Sequence, residues 1–543
     1  MSNEPHMTAA ADSPKPSSPG GWAPMRYTEF RRLWLAQFTS NIGSWMQTVA
    51  AQWVMTSLTG SALLLSAISA AGSIPVLLFA IPAGALGDLV DRRRLILTGQ
   101  LVMLVAAALL AVLSAVGGLT PWVLIALLFV IGVGGAFGAP TWQTLQPELV
   151  PGELRTPAIQ LGSVNQNLAR AVGPAIGGVL LAATSAAFVF GINAASFVAV
   201  VGVVVVTRLP TRTSNLPREH AFAAVRAGGR FVASSPLLLA VIVRAMAFVF
   251  FAGALWAVLP LVARHRLGLG SGGYGLLLAC VGAGALIAAN LGPALKARVP
   301  ARGVYALACL LTAVPTFVIA VTHSAVLVAV MLVASGAAWI TGLGLLSAAY
   351  QGELPAWVKA RAFAYYLVAF QGAMGIGALA LGAVAQATSV KTALIVVAAG
   401  LFASLLLTWA LPMPAGASML DHAADPLPLP EELTEQFGVT GRRGPVTVTV
   451  NYPLAEGNAE EFLARAKQLR RMRRRTGAIH WHLHQDIDQP GLFTEMFVVA
   501  SWDEHQQQHA RIEHADQQLL AAVDALLQPG AERLVHHAVT VRP

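Results

Sequence analysis

The chain has 543 residues, of which 56% are hydrophobic and only 11% charged, with a mean hydropathy of +0.64. No ordinary water-soluble domain has that balance, so a purely soluble enzyme or regulator is excluded. The net charge of +9 divides unevenly, with 23 Lys and Arg against 9 Asp and Glu up to Ala415 and 12 against 17 after it. The basic excess therefore belongs to the apolar part, where it would face anionic headgroups, and nucleic acid is not expected as a partner. Cys280 and Cys309 both fall in apolar stretches. They offer neither a disulfide framework nor a thiolate metal site.

Residues 1–25 are rich in Ser, Pro and Ala and lack an apolar run with a cleavage site, and they read as a disordered tail. Twelve apolar stretches follow, near 33–57, 62–87, 95–116, 121–142, 160–183, 185–207, 237–263, 271–295, 303–322, 325–349, 362–386 and 390–411. A span needs roughly 20 apolar residues and must satisfy its own backbone hydrogen bonds, so each is predicted to be a transmembrane helix. Arginines 26, 31, 32, 92, 93, 94 and 155, the 208–236 loop, Lys296, Arg298, Arg302, Lys359 and Arg361 all fall on one side. Only Arg264, Arg266 and Lys391 fall on the other. The positive-inside rule then places both termini in the cytoplasm.

An internal repeat cuts this part in two. Gln146-Pro147-Glu148-Leu149, followed by Pro151 and Arg155, is echoed about 204 residues later by Gln351-Gly352-Glu353-Leu354, followed by Pro355 and Lys359. At that offset Gly173 falls on Gly377 and Gly178 on Gly382. The expected organisation is a six-helix half at 26–207, a central loop at 208–236 and a second six-helix half at 237–412. A substrate site would lie between the halves, near the membrane midplane.

After the second stretch the chain reads Gly84-Ala85-Leu86-Gly87-Asp88-Leu89-Val90-Asp91-Arg92-Arg93-Arg94. This resembles the loop motif of the major facilitator superfamily, and the resemblance implies a cytoplasmic latch between Asp88 and Arg92 that breaks as the halves rock. Asp91 replaces the motif's second glycine and Leu89 its first base. In the fifth stretch Gly173-Pro174-Ala175-Ile176-Gly177-Gly178 resembles the fifth-helix motif of exporters in that superfamily, with Ala169 where the upstream glycine would stand. Proline can kink a helix, and the two glycines let a neighbour pack closely. With the Pro-Glu-Leu-Val-Pro segment at 147–151, residues 25–412 are most similar to the branch containing the enterobactin exporter, also described as transmembrane secretion effectors. That implies export of a siderophore or another hydrophobic compound across the inner membrane of a bacterial cell. The gating residues so implied are Gly84, Asp88, Asp91, Arg92, Glu148, Gly173, Pro174, Gly177 and Gly178.

Candidate cavity residues come from the chain itself. Asn41, Trp45, Thr48 and Gln52 recur at three and four residues on the first helix and so share a face. Asn165 and Asn167 in the fifth stretch, with Tyr366 and Gln371 in the eleventh, could line the same cavity. Arg170 and Arg244 stand inside apolar stretches, where a charge requires water or a partner. No Asp or Glu occupies the middle of any stretch; Asp88, Asp91, Glu148, Glu153, Glu219 and Glu353 lie at helix ends or in loops. An anionic substrate group is therefore the expected counter-charge for Arg170. Proton coupling is implied by the resemblance alone, with Glu148 or Asp88 the nearest carboxylates. No nucleotide-binding loop is present, so ATP drive is not expected.

Residues 413–444, with Pro412, Pro414, Pro426, Pro428 and Pro430 among acids, read as a linker. Residues 445–543 predict a strand at 446–450, a basic helix at 457–475, strands at 478–486 and 492–502, one helix from Asp503 to Leu527 and a last strand near 533–541. That order is βαββαβ, a ferredoxin-like α+β unit. Glu495, Trp502, His505, His509 and Asp516 resemble the antibiotic biosynthesis monooxygenase-like barrel, and the resemblance implies a homodimer through this domain. The row Arg470, Arg471, Arg473, Arg474 and Arg475 predicts a solvated face or contact with lipid phosphates. His480, His482 and His484 share a strand face, and His505 and His509 are four apart, but without cysteine or clustered acids neither a metal nor another cofactor is expected. The chain as a whole is expected to be an all-α membrane exporter with a ferredoxin-like tail, not an enzyme. Import and a catalytic monooxygenase tail are its rivals.

Overall fold

The computed structural model describes residues 21–89, 91–207, 221–355, 358–413 and 445–540. The predicted linker and most of the N-terminal tail lie outside the described residues, as does the central loop up to residue 220. Six long helices open the membrane part: α1 Thr28–Leu58, α2 Ala62–Leu89, α3 Arg92–Ala115, α4 Pro121–Glu148, α5 Arg155–Ala183 and α6 Ala186–Val206. The expected central loop contains a helix, α7 Ala221–Ser234. After it come α8 Pro236–Leu261, α9 Ser271–Arg298, α10 Ala301–Val321, α11 Ala325–Gly352, α12 Lys359–Ala387, α13 Val390–Ser404 and the short α14 Leu407–Ala410.

Helix starts follow from capping. Thr120, Ser185, Ser235, Ser324 and Ser389 each accept a backbone N–H three residues on, satisfying a donor that the helix leaves free. Among the described residues ten helices are long and apolar enough to cross a membrane. The long helices α1 and α5 fall outside that set, being diluted by the amides and hydroxyls between Gln37 and Gln52 and between Gln160 and Asn167.

The two sets of six helices pack in one pattern. In the first, α1 lies against α5 and α6, α2 against α4, and α3 against α4 and α6. In the second, α8 lies against α12 and α13, α9 against α11, and α10 against α11 and α13. Contacts between the sets also come as a related pair, α5 with α9 and α2 with α12. The arginine clusters at 92–94 and the Lys296, Arg298 and Arg302 group mark one end of the bundle, called here the basic face.

The tail forms a four-stranded antiparallel sheet in the order β2-β3-β1-β4, with β1 Val446–Pro453, β2 His480–Gln485, β3 Leu492–Val499 and β4 Leu534–Val539. Val446, Val448, Val450 and Tyr452 alternate inward to meet α15 Ala459–Thr476. The single helix expected from Asp503 to Leu527 is two, α16 Trp502–Ala510 and α17 His514–Asp524. Arg511 to Glu513 break it, and Glu513 starts the second piece with a capping box shared with Asp516. The arginine row also divides. Arg473 is buried and pairs with Glu495, and Arg475 pairs with Glu513 and Asp516, so only Arg470, Arg471 and Arg474 remain on the exposed face. This domain sits on α7, where Arg230 donates to Glu504 at 3.2 Å and Arg511 donates to the same carboxylate at 2.9 Å.

Candidate functional site

Helices α5 and α9 meet backbone to backbone at the end opposite the basic face. A Cβ added to Gly178 would lie 2.2 Å from the Gly275 Cα, and one added to Gly282 would lie 2.4 Å from the Ala171 carbonyl oxygen. Only residues without a side chain permit such an approach. Polar clasps between the halves hold the same end. The buried Tyr274 hydroxyl donates to Gln52 Oε1 at 2.6 Å, Arg264 Nη1 donates to Thr56 Oγ1 at 3.0 Å, and the Ala62 N–H donates to Gln386 Oε1 at 2.9 Å.

Toward the basic face the same two helices part. The contact stripe on α5 continues from Gly178 and Ala171 through Asn167, Ser163 and Gln160, and these last three are exposed. On α9 it continues from Gly275 and Gly282 through Ala289, Asn290 and Pro293, also exposed. Amides facing hydrocarbon are costly, so the two stripes line a wet crevice between the halves, closed at Ala171–Gly282 and open at the basic face.

Arg170 stands at the closed end of this crevice, one residue before Ala171. Its guanidinium carbon lies 5.5 Å from the centre of the Trp45 ring. Its Nε is buried without a partner, and among the described residues Arg170 makes no hydrogen bond. Asn167 is exposed one turn nearer the mouth. Trp45, Asn167 and Arg170 are thus the predicted site residues that the fold brings to one place.

Most of the other candidates serve packing within and between helices. Asn41 Nδ2 donates to Asn165 Oδ1 at 2.8 Å, and Asn165 Nδ2 donates to the Trp34 carbonyl at 2.9 Å, which ties α1 to α5. Thr48 donates to the Ser44 carbonyl of its own helix, and Gln52 belongs to the Tyr274 clasp. Tyr366 is buried against Tyr350 and Phe363 in the core of the second half. Gln371 is half-buried on α12, beside Gly372, which packs on Leu77. Arg244 is fully buried and donates to the carbonyls of Leu407, Leu411 and Pro412 at 2.7–2.9 Å, where it ties down the last turn of the second half. It does not reach the crevice.

Among the implied gating residues, Gly173 and Gly177 pack on Trp45 and Met46 of α1, Pro174 is buried within α5, and Gly178 forms the contact with α9. Arg92 pairs with Glu148, and Asp91 caps α3 by accepting the Arg94 N–H. Gly84 and Asp88 fall in the last turns of α2, and their surroundings lie outside the described residues. Sequence reasoning missed Gly275, Gly282, Tyr274 and Arg264. The seven-residue spacing of Gly275 and Gly282 was the available signal, since it puts both on one helix face.

In the tail, Glu495 accepts from Arg473 Nε and Nη2 at 3.1 Å, from the Tyr452 hydroxyl at 2.8 Å and from Trp481 Nε1 at 2.7 Å. Burial alone would raise its carboxyl, but Arg473 and these hydrogen bonds hold it below the usual carboxylate range. His505 is buried against His509 and His537, and burial first, then those two rings, pulls it down to about 3. Among the described residues no group of three His, Cys, Asp or Glu is placed to hold a metal.

The family model described as transmembrane secretion effector matches residues 19–543, membrane part and tail together. Macrolide efflux protein A of Streptococcus pyogenes is 29% identical over 177 residues, covering 33% of this chain and 42% of that protein. Multidrug efflux pump Tap of Mycolicibacterium fortuitum is 29% identical over 214 residues, covering 37% and 52%. The staphyloferrin A transporter of Staphylococcus aureus is 28% identical over 148 residues, covering 27% and 37%. The chain thus spans about half, or less, of the length of these curated relatives. A bacterial homolog of the human lysosomal transporter Spinster, solved inward-facing and occupied, superposes with a TM-score of 0.58 at 14% identity, over 71% of this chain and 97% of that one. The nucleoside transporter NupG gives 0.51 at 12% identity, over 70% and 98%. At these identities the two structures establish a shared fold and nothing further.

Proposed function

This chain belongs to the transmembrane secretion effector family of major facilitator transporters, and from that premise we propose that it exports a small hydrophobic or anionic compound by alternating access. In this reading all twelve long helices, α1 to α6 and α8 to α13, span the cytoplasmic membrane. The basic face and both termini are cytoplasmic, because the arginines cluster there. The arrangement described is then open to the cytoplasm and closed outside. The observation that carries the proposal is the crevice between α5 and α9 with Arg170 at its closed end.

A compound entering from the cytoplasm meets the amides of α5 and then the cation. The Trp45 ring offers a face for an aromatic or apolar body, and the Arg170 guanidinium offers donors to an anionic group. Rocking that opens the outer end must separate Gly178 from Gly275 and break the Tyr274–Gln52 clasp. The names of the relatives, which include macrolide and multidrug efflux and staphyloferrin A transport, support export across a bacterial membrane. The test compares efflux of anionic and neutral compounds from cells carrying the intact chain, the Arg170→Ala variant or no copy. Selective loss of anionic efflux in the variant supports the proposal. Efflux unaffected by removing the chain rejects it.

For the tail we propose a ferredoxin-like domain that pairs two copies. The strand order supports this, as does a sheet face not covered by its helices, on which His482, Met496, Thr449 and His536 stand side by side in register. The saturated Glu495 carboxylate favours a structural over a catalytic role, since all its strong donors come from the protein. Deleting 445–543 should leave transport intact and abolish dimers.

A further inference from the structure

Where the tail meets the bundle, two cavities share a wall. The first is a cleft of about 630 Å³ between α7 and α15, lined by Arg230, Lys467, Arg470, Arg471 and Arg474 and by no acid among the described residues. The α15 residues 467, 470, 471 and 474 follow the spacing that puts four side chains on one helix face. Among the described residues those four pair with no acid, and Arg230 pairs only with Glu504, its Nε buried without a partner. The four unpaired cations of α15 repel one another in the cleft, and an added anion relieves that repulsion.

The second cavity is a groove of about 800 Å³ between α7, α8, α12 and Leu77 of α2, and nearly all of its lining is apolar. Its rim residues Leu239, Val243, Met246 and Ile376 are exposed on the outside of the bundle, so the groove opens sideways into the bilayer. It runs along α8 from Leu239 to Phe251, twelve residues or about 18 Å, close to the depth of one leaflet at about 15 Å. Ala233 of α7 belongs to both cavities.

We propose that the pair binds one anionic phospholipid, with its phosphate in the cleft and an acyl chain in the groove, and that this lipid clamps the tail onto the bundle. Charge selects the headgroup, because an anion relieves the four unpaired bases of α15. The groove selects a lipid over a soluble phosphate, because a free anion leaves the apolar half empty. The proposal requires only that the bundle sit in a bilayer and is independent of what is transported.

The full chain is placed in nanodiscs of neutral phosphatidylcholine, of phosphatidylcholine with phosphatidylglycerol, or of phosphatidylcholine with added inorganic phosphate. Hydrogen exchange is then followed in α7 and α15. Exchange is expected to slow by about tenfold or more with phosphatidylglycerol alone. The paired substitution Arg470→Glu with Arg474→Glu, both exposed and outside the folded core, should remove that protection. Met246→Trp, which fills the groove and leaves the charges, should weaken it. Equal protection in neutral discs, protection by inorganic phosphate alone, or a phosphatidylglycerol effect that survives the double substitution would each overturn the proposal.

Discussion

Arg170 and Arg244 lie in long helices of the bundle, both with Nε buried and unpartnered, yet their surroundings differ. Arg244 gives its terminal nitrogens to the carbonyls of Leu407, Leu411 and Pro412, in and just after α14, so its charge is answered by the chain. Arg170 has an aromatic ring beside it and a crevice before it. In the proposed reading Arg170 keeps its donors for a substrate, whereas the fold consumes those of Arg244. The residue type is the same in the two cases, and the partners tell them apart.

That contrast is broken most sharply at Arg244. Arg244→Ala empties a fully buried site and removes the side-chain donors to Leu407, Leu411 and Pro412, and should cost about 3 kcal/mol or more of stability, read as lower thermal resistance and lower abundance in membranes. Transport per surviving molecule should be unchanged. Gly178→Leu should drive α5 from α9 at a cost of about 2 kcal/mol in the closed-outside state, shifting the population more than tenfold toward the outside-open state. Spin-label distances across that end would read the shift, and Arg170 itself would be untouched. Arg170→Ala should reduce transport of an anionic compound about tenfold and change stability by about 1 kcal/mol at most. Tyr274→Phe removes one clasp, and the same distances should report a shift of about fivefold.

The tail supplies a basic group that can respond differently, because histidine can give up its proton. His505 titrates at about 3 in the fold against 6.5 when free, since burial and its histidine neighbours disfavour the cation. The unfolded chain therefore binds the extra proton between those values. The stabilisation is whole above pH 6.5 and is lost progressively as pH falls toward 3. Exchange in residues 445–540 of the full chain, corrected for intrinsic rates, should accelerate below pH 6.5, and more steeply than in His505→Phe.

Much of the bundle was legible because ten of its long helices rest on apolar runs and several begin at a capping side chain, and both are local properties. The paired glycines at 173 and 377 and at 178 and 382 likewise carried the repeat, since close packing demands the smallest residues at matching positions. The site was less legible. Asn41, Thr48, Gln52 and Asn165 have the polarity of cavity residues, but whether an amide faces water or another amide depends on the neighbouring helix. Arg92 shows the same limit. Its partner Glu148 is 56 positions away, beyond the reach of any local pattern. In the tail, Arg473 and Arg475 looked like members of one exposed row, and long-range carboxylates removed them from it.

The most direct measurement asks which side of the membrane reaches the crevice. With Cys280 and Cys309 replaced by serine, Asn167→Cys is exposed to a membrane-impermeant maleimide in right-side-out and inverted vesicles. Rapid labelling in inverted vesicles, slowed by an exported anion, with little labelling in right-side-out vesicles, is the expected result. Labelling from the outside alone would contradict the crevice, and with it the place given to Arg170.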